Sequence, residues 1–225
     1  RLTLDHLDGL PEPCASCLFW QLDPVRRQRV EDPWAEKEAW LSQVLREWGS
    51  CGRVVLVDDR PVGHLIYAPA AFLPGAASVP TAPVSPDAVL LASAYVDPAY
   101  AGGGLGRLLV QAMARDLIQR GGIRAVEAFG NARPRLLPGA ALWPCLIPVD
   151  FLGGVGFKTH RPHPTSPRLR MELRSALTWR DELEAALERL VGAVRPAPKP
   201  SPTLPEARSA PEPTRSPPRH ATGTS

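Results

Sequence analysis

The run Asp97-Pro-Ala-Tyr100-Ala101-Gly102-Gly103-Gly104-Leu105-Gly106-Arg107 separates an apolar stretch from an amphipathic one, and its residue types suit an anion. A glycine-rich turn feeding a helix presents successive backbone N–H groups at the positive end of the helix dipole, a cradle for phosphate or pyrophosphate. Glycine serves there because a Cβ would hold the phosphates off the main chain, and because such turns visit positive φ. The bland alternative is a tight strand–helix turn. No Gly-x4-Gly-Lys-Ser/Thr is present, and the Gly-x-Gly-x-x-Gly spacing of a dinucleotide site is missing. Thiols and imidazoles form a second chemical set. Cys14-Ala-Ser-Cys17 is half a zinc motif or a redox pair, His160-Arg-Pro-His163 could add two imidazoles, and Cys145 could be a third ligand. Reduced structural thiols and no metal are the favoured expectation, with Cys51 the remaining cysteine; His6 and His64 are expected on the surface or as satisfied core groups.

These residues need elements to position them. Asp32-Pro33 supplies an N-cap oxygen and a proline at the first helical position, and Trp34, Leu41, Leu45 and Trp48 recur at helical spacing up to Gly49. Arg53–Asp58 and Pro61–Tyr67 read as a hairpin turned at Asp59-Arg60. Ala88–Val96 is apolar on both faces and so a central strand. The helix after the glycines places Leu105, Leu108, Leu109, Ala112, Met113 and Leu117 inward and stops at Gly121. Ile123–Phe129 is a further strand, Pro148–Phe157 a short helical element, and Arg168–Arg174 a half-exposed strand. The order implies an α/β (α+β) mixed sheet with helical cover.

At the glycine turn the sequence resembles the GNAT superfamily of N-acetyltransferases, whose signature is Arg/Gln-x-x-Gly-x-Gly/Ala, commonly after V-x-P-x-Y. Val96, Pro98, Tyr100, Gly104 and Gly106 match, and Ala101 stands where Arg or Gln is usual. The family's Gly-Phe appears as Gly156-Phe157, and the resemblance spans about residues 30–175. It implies a mixed sheet whose fourth and fifth strands splay apart. Amides of Gly102, Gly103, Gly104, Leu105, Gly106 and Arg107 would hold the pyrophosphate of acetyl-CoA, and the main chain near Val96 would pair with its pantetheine arm. A base often comes from an acidic residue on the splayed strands. Here that is Glu127, whose apolar neighbours would bury it and raise its pKa toward the working range; a solvated carboxylate is the alternative. The usual acid, a tyrosine, is replaced by Leu152, with Tyr95 and Tyr100 nearby but off the motif. Cys145 stands where the family often has Asn; beside a thioester it could be a nucleophile or a small buried hydrophobe. Loops 69–86 and 130–144 would rim the acceptor cleft, Arg133 and Arg135 favouring an anionic acceptor and Trp143 capping it or joining the core.

The 225 residues carry a net charge of +3 and 44% hydrophobic residues, too even a charge to argue for nucleic acid. No apolar run is long enough to span a membrane, and Arg1-Leu-Thr-Leu-Asp-His has no signal-peptide core, so a cytoplasmic protein is expected. Nine of the 27 prolines fall in 196–225, where Leu204 is the lone large apolar residue. That segment cannot offset roughly 1–2 kcal/mol of ordering entropy per residue and is expected to be a disordered tail. The expected divisions are an N-terminal segment 1–31 packed as a strand or lid, a catalytic domain 32–177, and an amphipathic helix 178–195 opened by Thr178-x-x-Asp181. That helix could dock on its own sheet or join two subunits in a homodimer. The expected activity is direct transfer of an acetyl group from acetyl-CoA to an amine of a small molecule or protein. The rival is a catalytically weak acyl-CoA, metal or thiol sensor using Cys14, Cys17 and Cys145.

Overall fold

Two aspartates start the first helices. A computed structural model describes residues 1–12, 14–133 and 145–174. Asp23 and Asp32 accept hydrogen bonds from first-turn amides of α1 (Pro24–Arg27) and α2 (Pro33–Glu47), each with proline at its start. α2 ends where Gly49 takes φ +96° and returns its N–H to Val44 O.

β1 (Gly52–Val57) and β2 (Arg60–Ala68) form a hairpin closed by Asp58 and Asp59, both at positive φ (50° and 60°). That two-residue turn matches the twist of the strands. The turn therefore lies one residue earlier than expected, and Arg60 pairs with Val57, because aspartate tolerates the left-handed region better than arginine. β3 (Ala88–Val96) lies antiparallel to β2 and parallel to β4 (Ala125–Asn131), with α3 (Leu105–Arg120) between them in sequence. β5 (Ile147–Pro148) pairs with the tip of β4, and α4 (Val149–Gly154) leads to the hairpin of β6 (Lys158–Arg161) and β7 (Arg168–Glu172). The mixed sheet runs β1-β2-β3-β4-β7-β6, the class expected.

The sheet is apolar on both faces, and β2 shows how. Leu65 and Tyr67 point into a core under α3 and α4, with Leu109, Met113, Leu117, Val126 and Leu152. Ile66 and Ala68 point into a second core under α2, with Trp40, Leu41, Val44, Leu90 and Phe129. Each large side chain so buried contributes about 1.5–3 kcal/mol. The N-terminal segment completes the second core. Among its described residues there is no strand: a 3-10 turn at Leu4–Gly9, α1 and irregular chain bring in Leu2, Leu7 and Leu10, and Trp20 stacks on Phe129 at 5.8 Å.

Three expectations need correction. Leu108 is exposed on α3, while Val110, Ala114 and Asp116 turn inward. β7 is buried at Arg168, Leu169 and Met171 and exposed only at Glu172, because it lies between β4 and β6. β6 was not expected as a separate strand; its four exposed residues carry no apolar alternation. Arg135, Trp143, the helix expected at 178–195 and the tail expected at 196–225 lie outside the described residues. Among the described residues no helix is long and apolar enough to cross a membrane.

Candidate functional site

β3 and β4 pair at only three steps, Ala88↔Ala125, Val89↔Val126 and Leu90↔Glu127. Beyond them the strands part, while β3 stays bonded to β2 as far as Val96. A bulge sits just past the fork: Ile66 faces Ser93 and Tyr67 faces Leu91, leaving Ala92 as the extra residue. The Asp97 N–H donates to Val62 O at 2.8 Å, which sets the phase of the ladder. Antiparallel pairing engages alternate residues, so Tyr95 and Asp97 bond toward β2 and the main-chain groups of Ala94 and Val96 face the opening.

The opening continues into a cleft of about 480 Å3 between the end of β3, the start of α3, and β5 with α4. Gly102 and Gly104 hold φ of +82° and +81°, and a Cβ on either would meet nothing within 4 Å. Positive φ is what demands glycine there, and the space before the turn is open. Gly104 caps α3 with no side-chain hydrogen bond, so the cap residue itself satisfies none of the first-turn amides. Of the anticipated donor-binding set, Val96, Gly102, Gly104, Leu105, Gly106 and Arg107 line the cleft, and Gly103 does not. Gly106 has a further reason to be glycine: its Cβ would stand 2.6 Å from Phe151 Cε2, so Phe151 of α4 packs directly on the first turn of α3. Arg107 Nη2 fastens the same helices by donating to Gly154 O at 2.8 Å. Leu152, at the tyrosine position, is fully buried core, whereas Phe151, Tyr95 and Tyr100 line the cleft.

Glu127 stands at the last paired step of the fork and is fully buried. Ser85 N donates to Oε2 at 3.1 Å, Arg170 Nη1 to Oε1 at 3.1 Å, and Arg168 Nε lies 3.4 Å from Oε2. Burial alone would raise its pKa, as the sequence suggested, but the hydrogen bonds from Ser85 and Arg170 and the charge of Arg168 outweigh it and bring the carboxyl below its ordinary value. Arg170 also forks onto Asp87 at 3.0 and 2.9 Å, so four charged groups bind β4, β7 and the entry to β3.

The thiols are arranged differently from the sequence pairing. Cys17 Sγ lies 3.4 Å from Cys145 Sγ across 128 residues. The hydrogen bond from Cys145, helped by a backbone amide at Phe19 and the charge of Lys37, lowers the Cys17 thiol to about 6 against its burial. The same bond, with burial, raises the Cys145 thiol, which disfavours the thiolate a nucleophile needs. Among the described residues no three His, Cys, Asp or Glu side chains are placed to hold a metal ion. His163 instead caps a turn, accepting from Thr165 N and Ser166 N.

Lys37 escaped the sequence analysis, and His64 departs from the place given to it there. Lys37 lies on the inner face of α2, where its spacing to Leu41 and Val44 was a legible signal, and it donates to Cys17 O at 2.8 Å. His64 is 1% exposed in β2 and stacks on Tyr95 at 5.7 Å, with no hydrogen-bond partner for either ring nitrogen. Burial, with Lys37 adding, lowers it to about 4. It is therefore not the satisfied core histidine expected.

The sequence model of the acetyltransferase (GNAT) family matches residues 17–135, more than half of the chain. No curated protein sequence matches it. Similar solved structures include the PaiA N-acetyltransferase from Thermoplasma acidophilum in complex with coenzyme A, 10% identical over 76% of this chain and 96% of that one, TM-score 0.47. The loading GNATL domain of CurA from Lyngbya majuscula is 13% identical over 78% and 96% of the two chains, TM-score 0.48. The GphF GNAT-like decarboxylase in complex with isobutyryl-CoA is 19% identical over 76% and 97%, TM-score 0.46.

Proposed function

The chain belongs to the acetyltransferase (GNAT) family, and from that premise we propose that it transfers an acetyl group from acetyl-CoA directly to the amine of an acceptor. The observation that carries this reading is the fork of β3 and β4 opening into a cleft lined by Gly102, Gly104 and the first turn of α3, with open space beside both glycines. The residues present fit the donor. Amides from Gly102 to Arg107 supply hydrogen bonds and a helix N-terminus for the pyrophosphate. The free main-chain groups of Ala94 and Val96 suit the amides of the pantetheine arm, which would lie as an extra strand in the fork.

Bound acetyl-CoA supplies an activated acyl carbonyl; the chain's own part is to orient it and admit a neutral amine. The thiolate released has a pKa near 8–9 and can leave without a dedicated acid, which accords with Leu152 at the tyrosine position. Glu127 is assigned to holding the fork in register, since its two arginine partners stabilise the ionised form that a base would have to give up. Cys145 is assigned no part in the acyl transfer, because its contact with Cys17 and its burial disfavour the thiolate.

Titration of acetyl-CoA and free coenzyme A by calorimetry tests the reading. Saturable binding of both is expected, abolished in Gly104→Glu, which sets a carboxylate before the amides. Gly122→Glu is the control: its φ of +74° carries the same strain and its Cβ equal free space, but it lies past the far end of α3. Full binding by Gly104→Glu, or none by the unaltered chain, overturns the site.

A further inference from the structure

The Cys17–Cys145 pair takes no part in the acyl transfer proposed above. Cys17, in the N-terminal segment, and Cys145, two residues before Ile147 at the cleft, are both half-buried at the margin of the α2-side core. Their sulfurs stand 3.4 Å apart, so a little over 1 Å of approach separates them from the ~2.05 Å of a disulfide. The surroundings discriminate between them. Cys17 O accepts from the Lys37 ammonium at 2.8 Å, and Lys37 is nine-tenths or more buried. The Gln21 amide, in the orientation that satisfies both its ends, donates to Cys17 O at 3.1 Å and accepts from Lys37 Nζ at 3.2 Å. A buried ammonium beside one thiol stabilises its thiolate, and Cys145 is placed to donate its proton toward that sulfur. Cys14 has the nearer sequence spacing, but its thiol is raised, first by burial and then by the Cys17 charge.

We propose that Cys17 and Cys145 form a modification site that a hydroperoxide closes to a disulfide and a thiol reductant reopens. The Cys17 thiolate attacks one peroxide oxygen; a sulfur–oxygen bond forms, the oxygen–oxygen bond breaks, and the departing alkoxide or hydroxide takes a proton. The Cys145 sulfur then attacks the sulfur of the Cys17 sulfenic acid. A sulfur–sulfur bond forms, the sulfur–oxygen bond breaks, and the Cys145 proton leaves with the hydroxyl as water. The two sulfurs give up two electrons and the peroxide gains them. The closed pair ties the segment ahead of α2 to the chain entering β5.

The full-length reduced chain, treated with equimolar hydrogen peroxide and digested without reductant, tests this. The expected result is a loss of 2 Da per chain by conversion of two thiols to one disulfide, with a cross-linked peptide pair carrying Cys17 and Cys145, both reversed by dithiothreitol. Cys14→Ser is expected to close as the parent does. Cys145→Ser is expected to stop at a Cys17 sulfenic acid that dimedone captures. A Cys14–Cys17 cross-link, oxidation that dithiothreitol does not reverse, or unreacted thiols would each overturn the proposal. Iodoacetamide alkylation of the unaltered chain gives a readout independent of any substitution. Cys17 is expected to react first, with a rate midpoint near pH 6; preferential labelling of Cys145 or Cys14 would also overturn it.

Discussion

A Cβ at Gly106 and the ring of Phe151 would occupy one volume, at 2.6 Å. Gly106→Val is therefore expected to push Phe151 off the first turn of α3, at a stability cost of about 1–3 kcal/mol from overpacking. Binding of coenzyme A should weaken with it, because Phe151 lines the cleft. Adding Phe151→Ala should recover part of the stability, whereas two independent sites would lose more; urea titrations of both single variants and the double variant measure the coupling. The same residue shows the limit of motif reasoning. The sequence marks Gly106 as a phosphate-turn glycine, but its contact comes from a helix 45 residues on, and no local spacing reports that. Cys17 repeats the point: Cys14 is its neighbour in sequence, Cys145 its neighbour in space.

α3 is anchored through one buried carboxylate. Asp116 meets Arg53 of β1 at 2.6 Å, Arg120 at 2.9 Å and the Tyr67 hydroxyl of β2 at 2.9 Å. Burial would raise its pKa, but the Tyr67 and Arg53 hydrogen bonds hold it below the ordinary carboxylate value. Arg120 also donates to the carbonyls of Trp48 and Ser50, linking the end of α3 to the end of α2. Asp116→Ala should cost about 3–5 kcal/mol, since it leaves two half-buried guanidinium charges without their anion, and denaturant unfolding would show it. A loss under 1 kcal/mol would mean that the arginines find water instead. The elements themselves were largely legible. Ala88–Val96 is the observed extent of β3, and the proline and glycine punctuation of α2 and α3 marks real ends. Asp116 was not legible as an inner residue, because its charge is balanced by Arg53, 63 positions earlier. The length of the β3–β4 pairing was equally hidden, since no spacing along either strand reports that the ladder stops at Leu90 and Glu127.

At the scale of the whole molecule three buried groups, His64, Glu127 and Asp116, all favour the folded state less as pH falls. His64 is neutral when folded, with its pKa lowered from 6.5 to about 4, so the unfolded chain takes up the proton first as pH falls. Its contribution is full above pH 6.5 and declines toward pH 4, by about 3 kcal/mol in total. Glu127 and Asp116, lowered as well, add stability present above the ordinary carboxylate range and lost as pH falls through it. Unfolding free energy should therefore drop steeply on the acid side, beginning near pH 6.5 rather than near 4.5. In His64→Leu the drop should begin only in the carboxylate range; an unchanged profile would remove His64 from the account.

The fork in the sheet has a consequence for solvent exchange. Along β3 the amides alternate in duty: Tyr95 is committed to β2, whereas Ala94 and Val96 face the gap. In deuterated buffer the first should report global opening, and the other two should exchange on the far shorter timescale of water reaching the cleft. Added coenzyme A should slow Ala94 and Val96 and leave Tyr95 nearly at its former rate. One strand thus holds both an occupancy gauge and its internal reference, a single residue apart.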